Sequence, residues 1–241
     1  MSEAKDVAAA LAEVASAADA AFLQRFFKTG KGQYGEGDVF IGVRVPATRV
    51  VARRFADLPF ADLDQLLDSE VHEHRLAALL ILVARFEAAS RPRGRDEALR
   101  AEIADRYLAA VRRGRVNNWD LVDSSAPYIL GGYLYDRPRD ILFDFARTGD
   151  LWQRRVAMLA TLGFIARGDP SSTLELAEIL FRDREDLIQK AVGWMLREVG
   201  KRIDPALLTG FLDSHAAQLP RTALSYATEH LTAEQRAGYR R

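Results

Sequence analysis

The residues of this chain best suited to chemistry gather in one central stretch, Asn117-Asn118-Trp119-Asp120-Leu121-Val122-Asp123-Ser124-Ser125-Ala126, just after the basic run Arg112-Arg113-Gly114-Arg115. Asn117 or Asn118 suits a helix N-cap, which makes Trp119 and Asp123 positions i and i+4 of a helix that is only beginning. That spacing sets an indole plate and a carboxylate side by side on one face. An isolated Asp usually caps a helix or pairs locally. Beside a π-face and a basic approach, it can also act on water, on a cationic substrate or on a developing positive charge.

Other candidates are fewer. Trp194 stands in Ala191-Val192-Gly193-Trp194-Met195-Leu196-Arg197, where small neighbours leave an indole room to project, whereas Trp152 reads as a packing residue. Arg154 and Arg155 are adjacent and diverge by about 100° around a helix, so at most one faces a given ligand. Arg155 suits either a bidentate phosphate contact or an ion pair with a neighbouring repeat. His72 and His74, two apart on a helix, do not face each other and make a poor metal pair. The absence of cysteine excludes thiol nucleophiles, thiolate metal sites and disulfides. No serine-centred elbow is present, and the glycines of Thr29–Asp38 lack the spacing of a phosphate loop. That connector reads as a flexible surface loop carrying Lys28, Lys31 and Tyr34 toward a partner.

The elements that must hold these residues read as helices throughout. Expected helices cover 2–15 (with Ser2 as cap), 18–28, 46–56, 61–69, 70–89 and 96–113. A central helix should run from about 118 to a stop at Gly131-Gly132. Further helices are expected at 137–148, 151–167, 172–182, 185–201, 204–217 and 220–229, punctuated by Pro, Gly, Asp or Ser. Phe40 to Val45 should be short and extended, and no segment alternates with period two over a useful length. The strings His74-Arg75-Leu76-Ala77-Ala78, Arg154-Arg155-Val156-Ala157-Met158 and Gln189-Lys190-Ala191-Val192-Gly193 echo one another, each a cation followed by small and then large apolar residues. Arrays of two-helix units with periods of roughly 35–45 residues behave this way, burying apolar surface on their neighbours. The expectation is an all-α protein, a right-handed α-solenoid of HEAT-like repeats forming a single domain over residues 1–241. Its repeated cations would point into a concave groove.

Bulk numbers agree with a soluble protein. The chain has 241 residues, 49% hydrophobic and 28% charged, with a formal net charge of zero. No stretch reaches the roughly 18 apolar residues of a membrane span, and the start carries no signal-peptide pattern, so a cytoplasmic location is expected. Charge is uneven along the sequence: Asp57–Arg75 holds six acids and one base, Arg91–Arg115 eight bases and four acids. Segregation of this kind can make one face basic in a neutral molecule.

Four segments together resemble a known family. Asn118-Trp119-Asp120-Leu121-Val122-Asp123 resembles the W-D-x-V-D signature of the AlkD-type DNA alkylation-repair glycosylases. Trp152-Gln153-Arg154-Arg155-Val156-Ala157 is similar to their W-x-x-R-x-A segment. Asp186 to Glu198 is similar to their F-I-Q-K-A-(I/V)-G-W-x-L-R-E helix, and Phe40-Ile41-Gly42-Val43 with Pro46 and Arg49 to their first conserved turn. The resemblance implies a stack of HEAT-like repeats whose basic groove holds duplex DNA. It implies excision of N3- and N7-alkylated purines by hydrolysis of the N-glycosidic bond. Asp123 would be the catalytic carboxylate, Trp119 and Trp194 aromatic walls against the deoxyribose, and Arg155 a phosphate ligand. Lys28, Lys31, Arg115, Arg154, Lys190 and Arg197 would contact DNA. No metal or cofactor is implied, and a monomer is expected. The competing readings are a non-catalytic HEAT-like module that binds DNA structures or proteins, and a hydrolase of another cationic N-glycoside.

Overall fold

A computed structural model describes residues 2–239, and among them sixteen α-helices and two short 3-10 turns occur without a strand. Two compact units divide the chain after Ser125. The first contains α1 (Ala4–Ala12), α2 (Ala17–Leu23), α3 (Val45–Arg54), α4 (Phe60–Leu67), α5 (His72–Ala89), α6 (Glu97–Arg112) and α7 (Trp119–Asp123). The second contains α8 (Ala126–Tyr133), α9 (Asp140–Thr148), α10 (Leu151–Ala160), α11 (Leu162–Ile165), α12 (Ser171–Leu180), α13 (Asp186–Arg202), α14 (Pro205–His215), α15 (Arg221–Ala227) and α16 (Ala233–Tyr239).

Each unit is organised around one long helix packed on several sides. In the first, α5 buries an unbroken run from Arg75 to Val83 and is packed by α1, α3, α4, α6 and α7. Helix α13 does the same in the second, burying Ile188, Ala191, Val192, Met195, Leu196 and Val199 against α10, α11, α12, α14 and α15. Helices touch others close to them in the chain, as expected of an α-solenoid in which each helix pair completes its core on the next. Local sequence sets the starts. Asp96 caps α6 through the Leu99 amide, Asp150 and Gln153 form a capping box on α10, and Asp204 precedes Pro205 in the first turn of α14.

Several expected boundaries move. The first helix is capped by Glu3 rather than Ser2, and the second gives way to a 3-10 turn at Gln24–Phe26. The central helix is interrupted at Ser124-Ser125, so α7 and α8 are separate. Helix 151–167 likewise divides into α10 and α11, and α16 lies beyond the last expected helix. Gly131-Gly132 lies in the last turn of α8, which ends one residue later at Tyr133. A Cβ on Gly131 would sit 2.3 Å from the Ala160 carbonyl oxygen, and one on Gly163 would sit 2.5 Å from that of Pro127. These glycines let helix backbones approach closely. The segment 40–45 forms no strand but is strapped to the start of α5: Val39 donates to Glu70 O and His72 donates to Val39 O.

A valine at Gly163 must push the α8 backbone away, and Gly163→Val is expected to cost about 1–3 kcal/mol. At Gly210, in the interior of α14, an added Cβ would meet no other atom within 4 Å. Gly210→Ala should therefore stabilise by roughly 0.5–1 kcal/mol through helix propensity. Urea denaturation of the two variants and wild type checks both signs.

Candidate functional site

The site begins with the strap at residues 38–43. Glu73, in the first turn of α5, is buried, and its carboxylate accepts from the amides of Ile41, Gly42 (2.8 Å) and Val43. Gly42 has φ +81°, and a Cβ there would lie 2.0 Å from Ser16 O, so only glycine fits this turn. The strap thereby fixes Asp38 and Phe40 beside His72, the first residue of α5.

His72 is the hub. Its Nε2 lies 2.8 Å from Asp120 Oδ2 on α7, and its Nδ1 lies 3.5 Å from Asp38 Oδ2. Asp38 also receives Arg75 at 2.6 Å and the Asn118 amide at 3.2 Å, while Arg75 spends a second nitrogen on Ser69 O at 2.8 Å. All four charged side chains are buried almost completely. Two carboxylates face an imidazolium and a guanidinium, so the cluster is formally neutral, as a buried charge group must be. Burial pushes the His72 pKa down, but the charge and hydrogen bond of Asp120, with Asp38 behind it, override this and raise it to about 9. Burial likewise works against the Asp38 carboxylate, yet contact with His72 and Arg75 holds it below the usual carboxylate range.

Helix α7 rides on this cluster. Asn118 caps it by accepting from the Trp119 amide, and its own side-chain amide is tied to Asp38. Asp120 accepts from the Leu121 amide while holding His72. Beneath the other end, the Ser125 hydroxyl lies 2.5 Å from Leu121 O and 3.0 Å from the Tyr107 hydroxyl. Burial drives the Tyr107 pKa far above its ordinary value; the Ser125 contact lowers it and the charge of Asp123 raises it further. Asp123 therefore stands within electrostatic reach of a buried phenol that stays neutral. Trp119 closes a ring stack: it lies parallel to Phe27 (5.3 Å, 17°), Phe27 on Phe40 (4.8 Å, 24°), and Phe40 on His72 (4.7 Å, 23°). The indole Nε1 donates to Phe26 O at 3.3 Å. Trp119 and Asp123 are both half-buried.

The expected site residues divide between the units. Trp119, Asp123, Lys28, Lys31 and Arg115 belong to the first, and Arg154, Arg155, Lys190, Trp194 and Arg197 to the second. In the second unit, Arg155 is 4% exposed and its guanidinium donates to Leu187 O at the start of α13. Lys190, one turn on, is near enough for Arg155 to oppose its charge; pairing with Asp186 (2.7 Å) outweighs this and raises its pKa. Trp194 is half-buried beside Gly193, where a Cβ would collide with Ala223 O at 2.3 Å, so the α13–α15 contact needs glycine there. Arg154 is paired with Asp183 at 2.8 Å, and Arg197 with Glu198 and Glu229. Trp152 is buried, as its packing role requires.

Three expectations need correction. Arg75, the first cation of the echoing strings, does not point into a groove; it is buried in the cluster under α7. The acidic and basic stretches of the first unit meet each other, with Arg106 on Asp64 (2.5 Å) and Arg113 and Arg115 on Asp68 (3.5 and 3.2 Å). Segregation along the sequence is thus partly cancelled in space. The glycine-rich connector is not featureless: Gly35 donates to Lys28 O at 2.8 Å, and Gly32 to Glu36 at 2.6 Å, folding it on itself with Lys28 and Lys31 exposed. Sequence reading gave no role to His72, Asp38 or Asp120. The available signal was a histidine opening a long helix with an unbroken apolar run, where a charged ring demands buried partners.

The cluster has a pH signature. The folded pKa of His72 lies above its unfolded value of about 6.5, so its stabilisation is complete below that pH and is lost as pH rises through about 9. The difference amounts to about 3 kcal/mol. Thermal melts from pH 6.5 to 9.5 should show falling stability for wild type and a flatter profile for His72→Gln.

Comparison with known proteins places these residues in context. The family model described as "DNA alkylation repair enzyme" matches residues 7–231. Among solved structures, a predicted DNA alkylation repair enzyme from Enterococcus faecalis is similar in fold, with TM-score 0.69 and 18% identity over 91% of this chain and 97% of that one. No curated protein matches the chain. With the family model spanning all but the ends, and both α7 and α13 inside it, the chain belongs to the DNA alkylation repair enzyme family.

Proposed function

We propose that this protein is a monofunctional DNA glycosylase acting as a monomer in the cytoplasm, hydrolysing the N-glycosidic bond of cationic N3- or N7-alkylated purines in duplex DNA. The observation that carries the reading is the Trp119–Asp123 pair on α7, an indole and a carboxylate one turn apart, both partly accessible and fixed on a buried ionic base. Family membership supports the repair role.

The chemistry suits a single carboxylate. An N3- or N7-alkylpurine already carries a positive charge, so when the C1′–N9 bond breaks, the base takes the bonding pair and leaves neutral without protonation. No general acid is required, unlike a glycosidase with two carboxyl groups. The sugar is left oxocarbenium-like. Asp123 stabilises that cation electrostatically and orients the water that adds to C1′, whose proton passes to Asp123 or solvent. The indole of Trp119 adds cation–π attraction, the role that the family resemblance implies for Trp194 as well. The product is an abasic site and a free purine. Engagement through sugar and backbone, rather than a base-flipping pocket, completes the reading.

Phosphate contacts fall to the cations. Arg155, seated on the start of α13, is the assigned phosphate ligand, with Lys190 near it and Arg154 and Arg197 as further DNA contacts. Lys190 is held in an exposed pair with Asp186, which a phosphate replaces at little cost. Lys28 and Lys31 present exposed ammonium groups on a folded loop, and Arg115 exchanges Asp68 for DNA.

Two measurements test this reading. Release of 7-methylguanine from methylated duplex should fall by about 10²–10³-fold in Asp123→Asn, with DNA affinity kept. Equal release by both proteins would sink the assignment and favour a non-catalytic DNA-binding module. Lys28→Ala/Lys31→Ala should weaken binding to any duplex and reduce the slope of log K against log salt by about one to two, an effect absent if the loop does not reach DNA.

A further inference from the structure

The buried cluster under α7 is larger than a five-residue helix needs. Asn118 and Asp120, two of the first residues of that turn, are each tied to the same imidazole–carboxylate group: Asn118 through Asp38, Asp120 through His72. The same imidazole is also the inner end of the ring stack that terminates in Trp119. One side chain thus touches both supports of the candidate site, the capped turn that carries Asp123 and the stacked rings that carry Trp119.

We propose that His72 is a positioning residue for the glycosylase reaction: charged and clamped between Asp38 and Asp120, it sets the orientation of Trp119 and Asp123 for catalysis. The inference rests on the function proposed above. The groups facing the imidazole are Asp120 from α7, Asp38 from the strap, and Arg75, one turn along its own helix, with the rings of Phe27 and Phe40 over its faces. Glu73 is turned to the strap amides and His74 to Ser69, so neither substitutes as its partner. Loss of the His72 proton leaves two buried carboxylates answered by Arg75 alone. Asp120 then faces a neutral N–H donor in place of a cation, and the contact that fixes the register of α7 against α5 weakens. The raised pKa keeps the imidazole charged at neutral pH, so the turn stays set under working conditions.

The test compares wild type, His72→Gln and Leu63→Ala, the last a core truncation on α4 that matches a general loss of stability. All are assayed at a temperature where circular dichroism shows them folded. Single-turnover release of 7-methylguanine at saturating protein should fall about tenfold or more in His72→Gln, with affinity for duplex DNA within about twofold, and be unchanged in Leu63→Ala. A second readout is fluorine NMR of protein labelled with fluorotryptophan, the Trp119 signal being assigned with Trp119→Phe. That signal should move in His72→Gln and, in wild type, titrate with a single proton near pH 9 while the fold persists.

A His72→Gln protein with the wild-type rate and an unmoved Trp119 signal would overturn the proposal. If His72→Gln does not fold, a flat wild-type fluorine titration up to pH 10 would overturn it by itself. Should wild type release no methylpurine, the glycosylase reading fails instead, and the Trp119 titration still decides whether His72 sets the ring stack.

Discussion

The buried carboxylates of Asp38 and Asp120 are answered by two buried cations, and that arrangement shapes the first unit. Asp38 and Asp120 reach the interior only because His72 and Arg75 rise to meet them from the opening turns of α5. Desolvating such a group is expensive, and removing any one member leaves an uncompensated charge worth about 3–5 kcal/mol of instability. The strap, with Glu73 gathering three amides and Gly42 forced into the left-handed region, exists to deliver Asp38 to that spot. Helix α7 delivers Asp120. A neutral, interlocked group of this sort specifies one register of α7 on α5, because sliding the helix by a residue would separate Asp120 from its imidazole.

The second unit solves its packing differently. Around α13 the closest backbone contacts are made at glycines, Gly193 against α15 and Gly200 against Leu208, as at Gly131 and Gly163 between α8 and the α10–α11 segment, while the buried Glu198 is held by Arg197 and Arg202. Backbones that approach this closely leave little freedom for Trp194, whose neighbour cannot be anything larger than glycine. The two units therefore hold their candidate aromatic residues by unlike means, one by ionic clamping and ring stacking, the other by close backbone approach. Arg75 and Arg155, which echo each other in the sequence, share one trait despite this. Each is buried and donates to backbone carbonyls at a helix start, Arg75 to Ser69 and Arg155 to Leu187.

Helical periodicity was plain in the sequence, and so was the central pair, because i and i+4 fix a shared face whatever the tertiary structure. Boundaries were less legible where a short interruption such as Ser124-Ser125 left the apolar pattern intact. The supporting cluster was hidden for a physical reason. Asp38, His72 and Asp120 are separated by 34 and 48 positions, belong to three different elements, and carry no spacing that local rules can detect. Their association depends on the strap lying along α5, which is a tertiary fact. Charge segregation was visible but misleading, since the acidic and basic stretches belong to helices that pack on each other and pair.

The supporting cluster also bears on why a single carboxylate could serve as the chemical group. A side chain that stabilises a cationic sugar gains most when it does not have to reorganise as the charge develops, so the relevant quantity is the rigidity of its mounting rather than its basicity. Asp123 sits on a five-residue helix that could not hold its shape alone, since one turn is below the length at which helices persist in water. Its order must come from outside: from Asn118 and Asp120 on the ionic group, from Ser125 and Tyr107 below, and from Trp119 on the phenylalanine stack. In the proposed reaction, permanent charges placed one layer beneath Asp123 would not compete for the sugar cation, because they are already satisfied by one another. That placement leaves Asp123 as the negative charge on the accessible side of the turn, where a substrate that brings its own positive charge would meet it.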